Sequence, residues 1–353
     1  MDENFKPQEF GVTKELFKKW RSPRFGEHNA EKINSTVWQW LAKSKLSGYA
    51  STQTMGGPNP YEAGPTWSFD RFGQSKTELP DGRTVFIAGE HEDHYDPDFH
   101  IYNDVAILNK GGDFEFYCYP ESTFEPTDFH TATLVEDKII IIGSLGYPEK
   151  RIKNHTPVYI LNTENMEISK VNTSGNQPGW IHDHTAILNT NNTVTIEKGL
   201  VYLDEENSLR ENHDSWILNL ETWEWERLTD KQWITLEFIR EDKFRNHLWE
   251  LRHTLWYQKV NWKNDYEKHI NEFKTQLGHI PDLSIINTLY SFDFEHTPAK
   301  EIEEESNAFT IVVDKIRLRF YEDSFFLRCT IEGDLDKNTV SYTHLTLPTT
   351  SRV

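Results

Sequence analysis

The residues able to do chemistry gather in short polar stretches. The densest is Glu90-His91-Glu92-Asp93-His94-Tyr95-Asp96-Pro97-Asp98-Phe99-His100. Imidazoles and carboxylates are the donors that zinc, manganese and iron accept. His91 and His94 stand three apart with Asp93 and Asp96 beside them, and His91, His94 and Asp96 form the set that could hold a divalent metal. A metal centre also needs three or four rigidly held ligands. The plainer alternative is a solvated loop whose Asp side chains make local turns. Three other clusters have a similar make-up: Asp128-Phe129-His130, His182-Asp183-His184 and Asn212-His213-Asp214. A histidine opening a strand can bind a ligand or brace its neighbours, because a buried ring nitrogen needs a partner. No nucleophile elbow, phosphate loop, HExxH motif or paired redox cysteine occurs.

The elements that must position these clusters repeat. Ile107-Leu108-Asn109 returns as Ile160-Leu161-Asn162 and as Ile217-Leu218-Asn219, 53 and then 57 residues on. His130-Thr131-Ala132 returns 54 residues later as His184-Thr185-Ala186, and Gln74-Ser75 lies 56 before His130. Each period holds four short apolar runs separated by turn residues, which predicts a four-stranded antiparallel meander. The first runs from Arg71 to Tyr117, with Gly89 ending its second strand. The second covers His130 to Val171, with Gly143 at that place. The third covers His184 to Trp225.

This pattern resembles the kelch repeat. A polar or His residue opens strand one, glycine ends an apolar strand two, strand three is apolar, and strand four carries an aromatic. Arg71-Phe72-Gly73-Gln74-Ser75 is the nearest match to the family's Arg-x-Gly-His-Ser opening, Gly89-Glu90 and Gly143-Ser144 stand where it has paired glycines, and the fourth-strand Trp is Trp225. The resemblance covers about residues 71–228 and implies a β-propeller of four-stranded blades. The fold class expected is therefore mostly β: a partial kelch-type propeller with N-terminal helices and an inserted αα-hairpin. Three blades do not close a ring, since propellers use about 4–8. Copper-radical oxidases share this kind of propeller, but Tyr117-Cys118-Tyr119 falls in an outer fourth strand, the wrong place for such a centre.

Outside the repeat, Thr13, Leu16, Phe17 and Trp20 predict a short helix over 12–21. Ile33, Val37, Trp40 and Leu41 predict another over 30–47, with Gly48 past its end. Residues 1–66 are thus a helical lead-in and 67–229 the three blades. From Phe244 to Leu277 the apolar spacing becomes helical, bending near Val260-Asn261 and stopping at Gly278. This predicts helices within 232–277, in an insertion over 230–280. Its Trp249, Trp256 and Trp262 offer a second surface for a partner. Strands return at 283–294, 309–313, 316–320 and 325–331, the last two as a hairpin, so 281–339 reads as further blade material. Residues 340–353 resemble a translated sequencing adapter and are excluded from the fold as an artefact; on that expectation the native chain continues past 339.

Lys and Arg number 37 against 57 Asp and Glu, a net charge of −20. Such a chain repels phosphate backbones, so nucleic acid is not an expected partner. The two cysteines form no CxxC, no apolar run is long enough to span a membrane, and Met1-Asp2-Glu3-Asn4 does not resemble a secretory signal. No membrane partner is expected, and the cytoplasm is the expected location.

Antiparallel alternation puts the start of strand one and the end of strand two at the same end of a blade. His91, Asp93, His94, Asp96, His100, His130, His182, His184 and His213 are therefore expected around one mouth. Seven imidazoles there would titrate between about pH 5 and 8. The expected function is a binding module for a protein or small molecule at that mouth. The alternative is a metal-assisted hydrolase or lyase using the same His/Asp face.

Overall fold

The computed structural model describes residues 5–57, 64–91, 98–202, 209–212, 214–229, 234–239, 247–284, 299–305, 308–313, 316–322 and 325–332. The chain divides into two compact units, Met1–Asp230 and Lys231–Val353. It is mostly β, with several antiparallel sheets and few helices.

Unit one is built on three successive sheets. Sheet one orders its strands Glu31–Ile33, Phe114–Cys118, Val105–Leu108, Thr84–Ile87, Ser75–Glu78. Sheet two has Ile168–Lys170, Val158–Asn162, Lys138–Ile142, Thr131–Val135. Sheet three has Ser174–Gly175, Glu224–Arg227, Trp216–Asn219, Thr193–Glu197, Thr185–Leu188. The expected meanders are present in all three, and Thr131–Val135 packs beside both Ser75–Glu78 and Thr185–Leu188. One pairing departs from the antiparallel rule: Ser174–Gly175 runs parallel to Glu224–Trp225.

The repeated markers have local physical reasons. The Asn after Ile-Leu caps the turn into the fourth strand in sheets two and three, while in sheet one Asn109 Nδ2 donates to Glu115 at 3.1 Å. Asn162 Oδ1 accepts the amides of Glu164 and Asn165 at 2.8 and 3.2 Å, and Asn219 Oδ1 those of Glu221 and Thr222 at 2.8 and 3.0 Å. The second strands end at Gly89, Gly143 and Gly199, all left-handed, with φ of 91°, 78° and 83°. A Cβ on Gly143 would strike the Ile181 carbonyl oxygen, and one on Gly199 that of His182. Glycine is required there by both conformation and space.

The sheets are held face to face. Ile139 and Ile141 pack with Val85, Ile87, Val105 and Ile107 of sheet one. Ile140 and Ile142, pointing the other way, pack with Val194, Ile196, Trp216 and Leu218 of sheet three. Each such buried Ile contributes about 1.5–3 kcal/mol of transfer free energy.

The lead-in covers the free face of sheet one. Its helices are α1 (Lys14–Trp20), α2 (Thr36–Ser44) and α3 (Gly48–Met55), started by Thr13, Ser35 and Ser47, whose hydroxyls each accept a first-turn amide. Trp38 stacks on Trp67 with centroids 4.7 Å apart, and Phe116 meets both edge-on. The helix expected over 30–47 is shorter than its apolar spacing suggested. Glu31–Ile33 is a strand paired with Phe116–Cys118, and Ser35 caps a helix that begins only at Thr36. Lys45, left-handed at φ 55°, ends that helix, and Gly48 opens the next.

In unit two, Ile234–Ile239, Phe326–Glu332, Ile316–Glu322, Ala308–Val313 and Ala299–Glu305 form one antiparallel sheet in that order. The hairpin expected at 316–331 is among its pairs. The helices expected within 232–277 are His247–Lys259 and Lys263–Leu277, preceded not by helix but by the strand Ile234–Ile239. Leu251 and Phe273 are buried between them, while Trp256 and Trp262 meet edge-on at 5.1 Å and stay exposed. The Trp249 side chain, residues 340–353 and nearly all of 283–294 lie outside the described residues. No described helix is long and apolar enough to cross a membrane.

Candidate functional site

The repeat sets equivalent residues of the three sheets side by side at one end. Gly73, Phe129 and Asp183 all turn left-handed, with φ of 60°, 47° and 54°. They are linked in series: the Phe129 amide donates to the Gly73 carbonyl and the Asp183 amide to the Phe129 carbonyl, both at 2.9 Å. Gly89 donates to Thr127 at 2.8 Å and Ser144 to Ile181 at 2.9 Å, tying each second-strand end to the next sheet. The residues just before the left-handed turns are Phe72, Asp128 and His182. Three equivalent backbone positions therefore carry an aromatic ring, a carboxyl and an imidazole.

The stretches that follow the second strands of sheets one and three are partly sheet. Glu90–His91 pairs with His100–Ile101, and Leu200–Tyr202 lies between Ile181–His182 and Leu209–Glu211.

Asp128 is fully buried. Its Oδ1 accepts from the Gly146 amide at 2.6 Å and the Ser144 hydroxyl at 3.2 Å. Its Oδ2 is enclosed and meets no donor. The Glu90 carboxyl, from the end of sheet one, lies within hydrogen-bonding reach. Burial is the main force holding the Asp128 carboxyl above the usual carboxylate range, opposed by the Gly146 amide, Glu90, Ser144 and His182.

His182 is 3% exposed. Its Nδ1 lies 3.1 Å from Asp183 Oδ2. A carboxylate only accepts, so Nδ1 carries a proton, and the other ring nitrogen is Nε2. That Nε2 is buried and has no partner. Nearby, Arg151 donates to the Leu145 and Gly146 carbonyls at 2.9 and 3.2 Å, and Trp180 Nε1 donates to Leu145 at 3.0 Å, fixing the turn that holds Asp128.

The other expected histidines fall into separate networks. His91 and His100 face each other across their two-stranded ribbon, ring centroids 6.5 Å apart. The Ser68 amide donates to Tyr102 Oη at 2.9 Å, so the Tyr102 proton goes to His91 Nδ1 at 2.7 Å. Beneath them Arg71 lies 3.3 Å from the Tyr102 ring centroid and pairs with Asp104 through two bonds of 2.5 and 3.1 Å. Trp67 Nε1 also donates to Asp104, at 2.6 Å. The adjoining cavity of about 40 Å³, lined by Pro23, Arg24, Phe25, His100, Tyr102, Asn103 and Asp104, has room for little more than a water molecule. His130 Nε2 bonds to Ser75 Oγ at 2.8 Å, and His184 Nε2 to Thr131 Oγ1 at 2.9 Å. Each of these last two rings therefore spans from its own sheet to the one before.

The expectation that the imidazoles titrate near neutrality is corrected. Burial, then Arg71, lowers His91 to about 3 and His100 to about 4. Burial lowers His130 to about 3, and burial with the neighbouring His130 and His182 lowers His184 to about 3. These four rings stay neutral across pH 5–8.

Asp93, His94, Asp96 and His213 lie outside the described residues, and with them two of the three expected metal ligands. Among the described residues no group of three or more His, Cys, Asp or Glu is placed to hold a metal ion. The sequence singled out Asp128 only within the cluster Asp128-Phe129-His130, and it gave Glu90, Arg71 and Asp104 no place among the site residues. Lining up the residues before the left-handed turns would have singled out Asp128.

No known family and no curated protein sequence matches the chain. Three solved structures are similar in part. The structure of YjhT matches at a TM-score of 0.30 and 8% identity, over 76% of this chain and 66% of that one. A fungal alcohol oxidase of the AA5 family, in complex with copper, gives 0.31 and 13%, over 47% and 46%. The Bombyx mori GH32 β-fructofuranosidase BmSUC1 gives 0.31 and 13%, over 50% and 43%. The chain spans less than two thirds of each of these proteins, and likenesses this slight carry no statement about fold or activity.

Proposed function

We propose that the chain is a partial kelch-like propeller and works as a binding module. The three sheets of unit one are its blades, the meander over 299–332 is further blade material, and the ligand sits at the mouth where Glu90, Asp128, Ser144 and His182 come together. One observation carries this: Asp128 Oδ2 and His182 Nε2, on adjacent sheets, are buried polar atoms without a hydrogen-bond partner. Buried polar atoms are nearly always satisfied, so such a pair is best explained by a ligand that completes it. The chain's net charge of −20 suits a basic partner rather than a nucleic acid. Its two cysteines are free and buried, which suits the cytoplasm.

The test is a thermal-shift screen of small molecules against wild type, Asp128→Asn and His182→Phe. Compounds that raise the wild-type melting temperature and lose that effect in both variants support the proposal. Stabilisation that is equal in all three proteins overturns the placement at the mouth. Turnover of a hydrolase or lyase substrate that depends on added zinc or manganese overturns the non-enzymatic reading.

A further inference from the structure

The five-stranded sheet of unit two treats its two edges differently. One edge strand, Ala299–Glu305, carries four glutamates and a lysine, and its register slips between Glu301 and Glu303. Charges and a bulge guard an exposed edge, because each keeps a further strand from adding to it. The other edge strand, Ile234–Ile239, reads Ile-Thr-Leu-Glu-Phe-Ile. It has no proline and no lysine, and its register against Phe326–Ile331 is unbroken. Its one charge is already matched, since Glu237 Oε2 accepts from Arg328 Nε and Nη2 at 3.0 and 2.7 Å. Among the described residues no strand pairs with the far side of Ile234–Ile239.

The side chains repeat this contrast. Ile234, Leu236 and Phe238 share a face with Ile331, Cys329 and Leu327, which stand opposite them. Cys329 and Ile331 are each 8% exposed, whereas Phe238 is 41% exposed. The apolar face is covered inside the sheet and left open at its rim.

We infer that Ile234–Ile239 pairs with the same strand of a second copy of this chain, antiparallel and centred on Leu236. In that register the strand is its own complement. Leu236 meets its counterpart and Ile234 meets Phe238 of the second copy, so the apolar face continues across the join. Thr235 meets Glu237 of the second copy, so the two carboxylates are not set opposite each other. A shift of one residue would set Leu236 against Glu237 and break the apolar face. The two-fold pairing closes on itself, and the guarded edge at Ala299–Glu305 stops growth at the dimer. A contact of one short strand from each copy is small beside stable interfaces of about 1,200–2,000 Å², so the dimer is reversible, in the micromolar range.

Sedimentation velocity of the full chain over a dilution series tests this. The expected result is a monomer–dimer equilibrium. Its affinity should fall about tenfold in Phe238→Lys, which puts a charge on the apolar join, and in Thr235→Glu, which sets like charges opposite one another. Thr235→Lys meets the same carboxylate with the opposite charge and should dimerise at least as well as wild type. Both Thr235 variants alter one exposed position, so a strand that merely loses its place would weaken them alike. Should Phe238→Lys fail to fold, the Thr235 pair decides alone. Hydrogen exchange in 234–239 should slow as the protein is concentrated.

The inference is overturned if the chain stays monomeric up to its solubility limit, even where a strand of another protein takes the edge. It is also overturned if Thr235→Glu and Thr235→Lys weaken the dimer equally or leave it unchanged, or if assembly runs on past the dimer.

Discussion

Sheets two and three are built on the same repeat, yet they face their surroundings differently. The second strand of sheet two is Lys138–Ile142, in which Ile139, Ile140, Ile141 and Ile142 are all buried, two toward each neighbouring sheet. The corresponding strand of sheet three is Thr193–Glu197. There Val194 and Ile196 face sheet two, while Thr195 and Glu197 face outward. The outward row continues across the register: Ile187, Thr195, Ile217 and Glu226 stand opposite one another in turn. Ile187 is 57% exposed. One strand position thus serves in sheet two as the middle of a core and in sheet three as a boundary. The apolar faces hold the stack together, and Asp128 and His182 lie buried near the ends of adjacent sheets.

The largest expected effect comes from Ile140→Ala, which opens a cavity between sheets two and three. It should destabilise unit one by about 2–5 kcal/mol in urea unfolding. A loss below 1 kcal/mol would mean that the sheets are not packed as described.

Gly143→Ala comes next. Its Cβ would strike the Ile181 carbonyl at a left-handed φ of 78°. A loss of about 1–3 kcal/mol is expected. Gly112→Ala, left-handed at φ 86° but with open space around it, should lose only about 1 kcal/mol. Equal losses would show that conformation alone, and not the close approach of adjacent sheets, fixes Gly143.

Acid should weaken the stack next. His91, His100, His130 and His184 have folded pKa values of about 3–4, below the ordinary 6.5. The unfolded chain therefore binds more protons than the folded one between those limits, and stability falls as pH drops through that window. Each ring adds at most about 1.4 kcal/mol per pH unit. Chemical melts from pH 7 to pH 4 should show the decline, with a shallower slope in His130→Gln. A flat profile would mean that these rings are not buried as neutral groups.

Thr195→Ala, at the place equivalent to Ile140 but on the outward face, should stay within about 0.5 kcal/mol of wild type. A loss as large as that of Ile140→Ala would erase the difference between the two sheets.

Much of this was legible beforehand because it is local. Ile-Leu-Asn marks a strand and the turn after it, an Asx turn at Asn162 and Asn219, and the glycines end second strands where no side chain fits. What escaped depends on partners far along the chain. Glu31–Ile33 is a strand only because Phe116–Cys118 receives it, and the helical spacing from Ile33 to Leu41 hid that. Ile234–Ile239 likewise pairs with Phe326–Ile331, about ninety residues on. At the mouth, histidine content drew attention to His130 and His184. Those rings turned out to tie one sheet to the next. Asp128 and Glu90 come from different sheets, and no spacing rule joins them.

The most direct test of the binding mouth is hydrogen–deuterium exchange of wild-type protein with and without the strongest stabilising compound from the thermal-shift screen. Added protection is expected in 88–91, 127–130, 144–147 and 181–184, with none in the outward strand 193–197 or the helices 247–277. Protection confined to 193–197 or to those helices, with the four mouth segments unchanged, would contradict it.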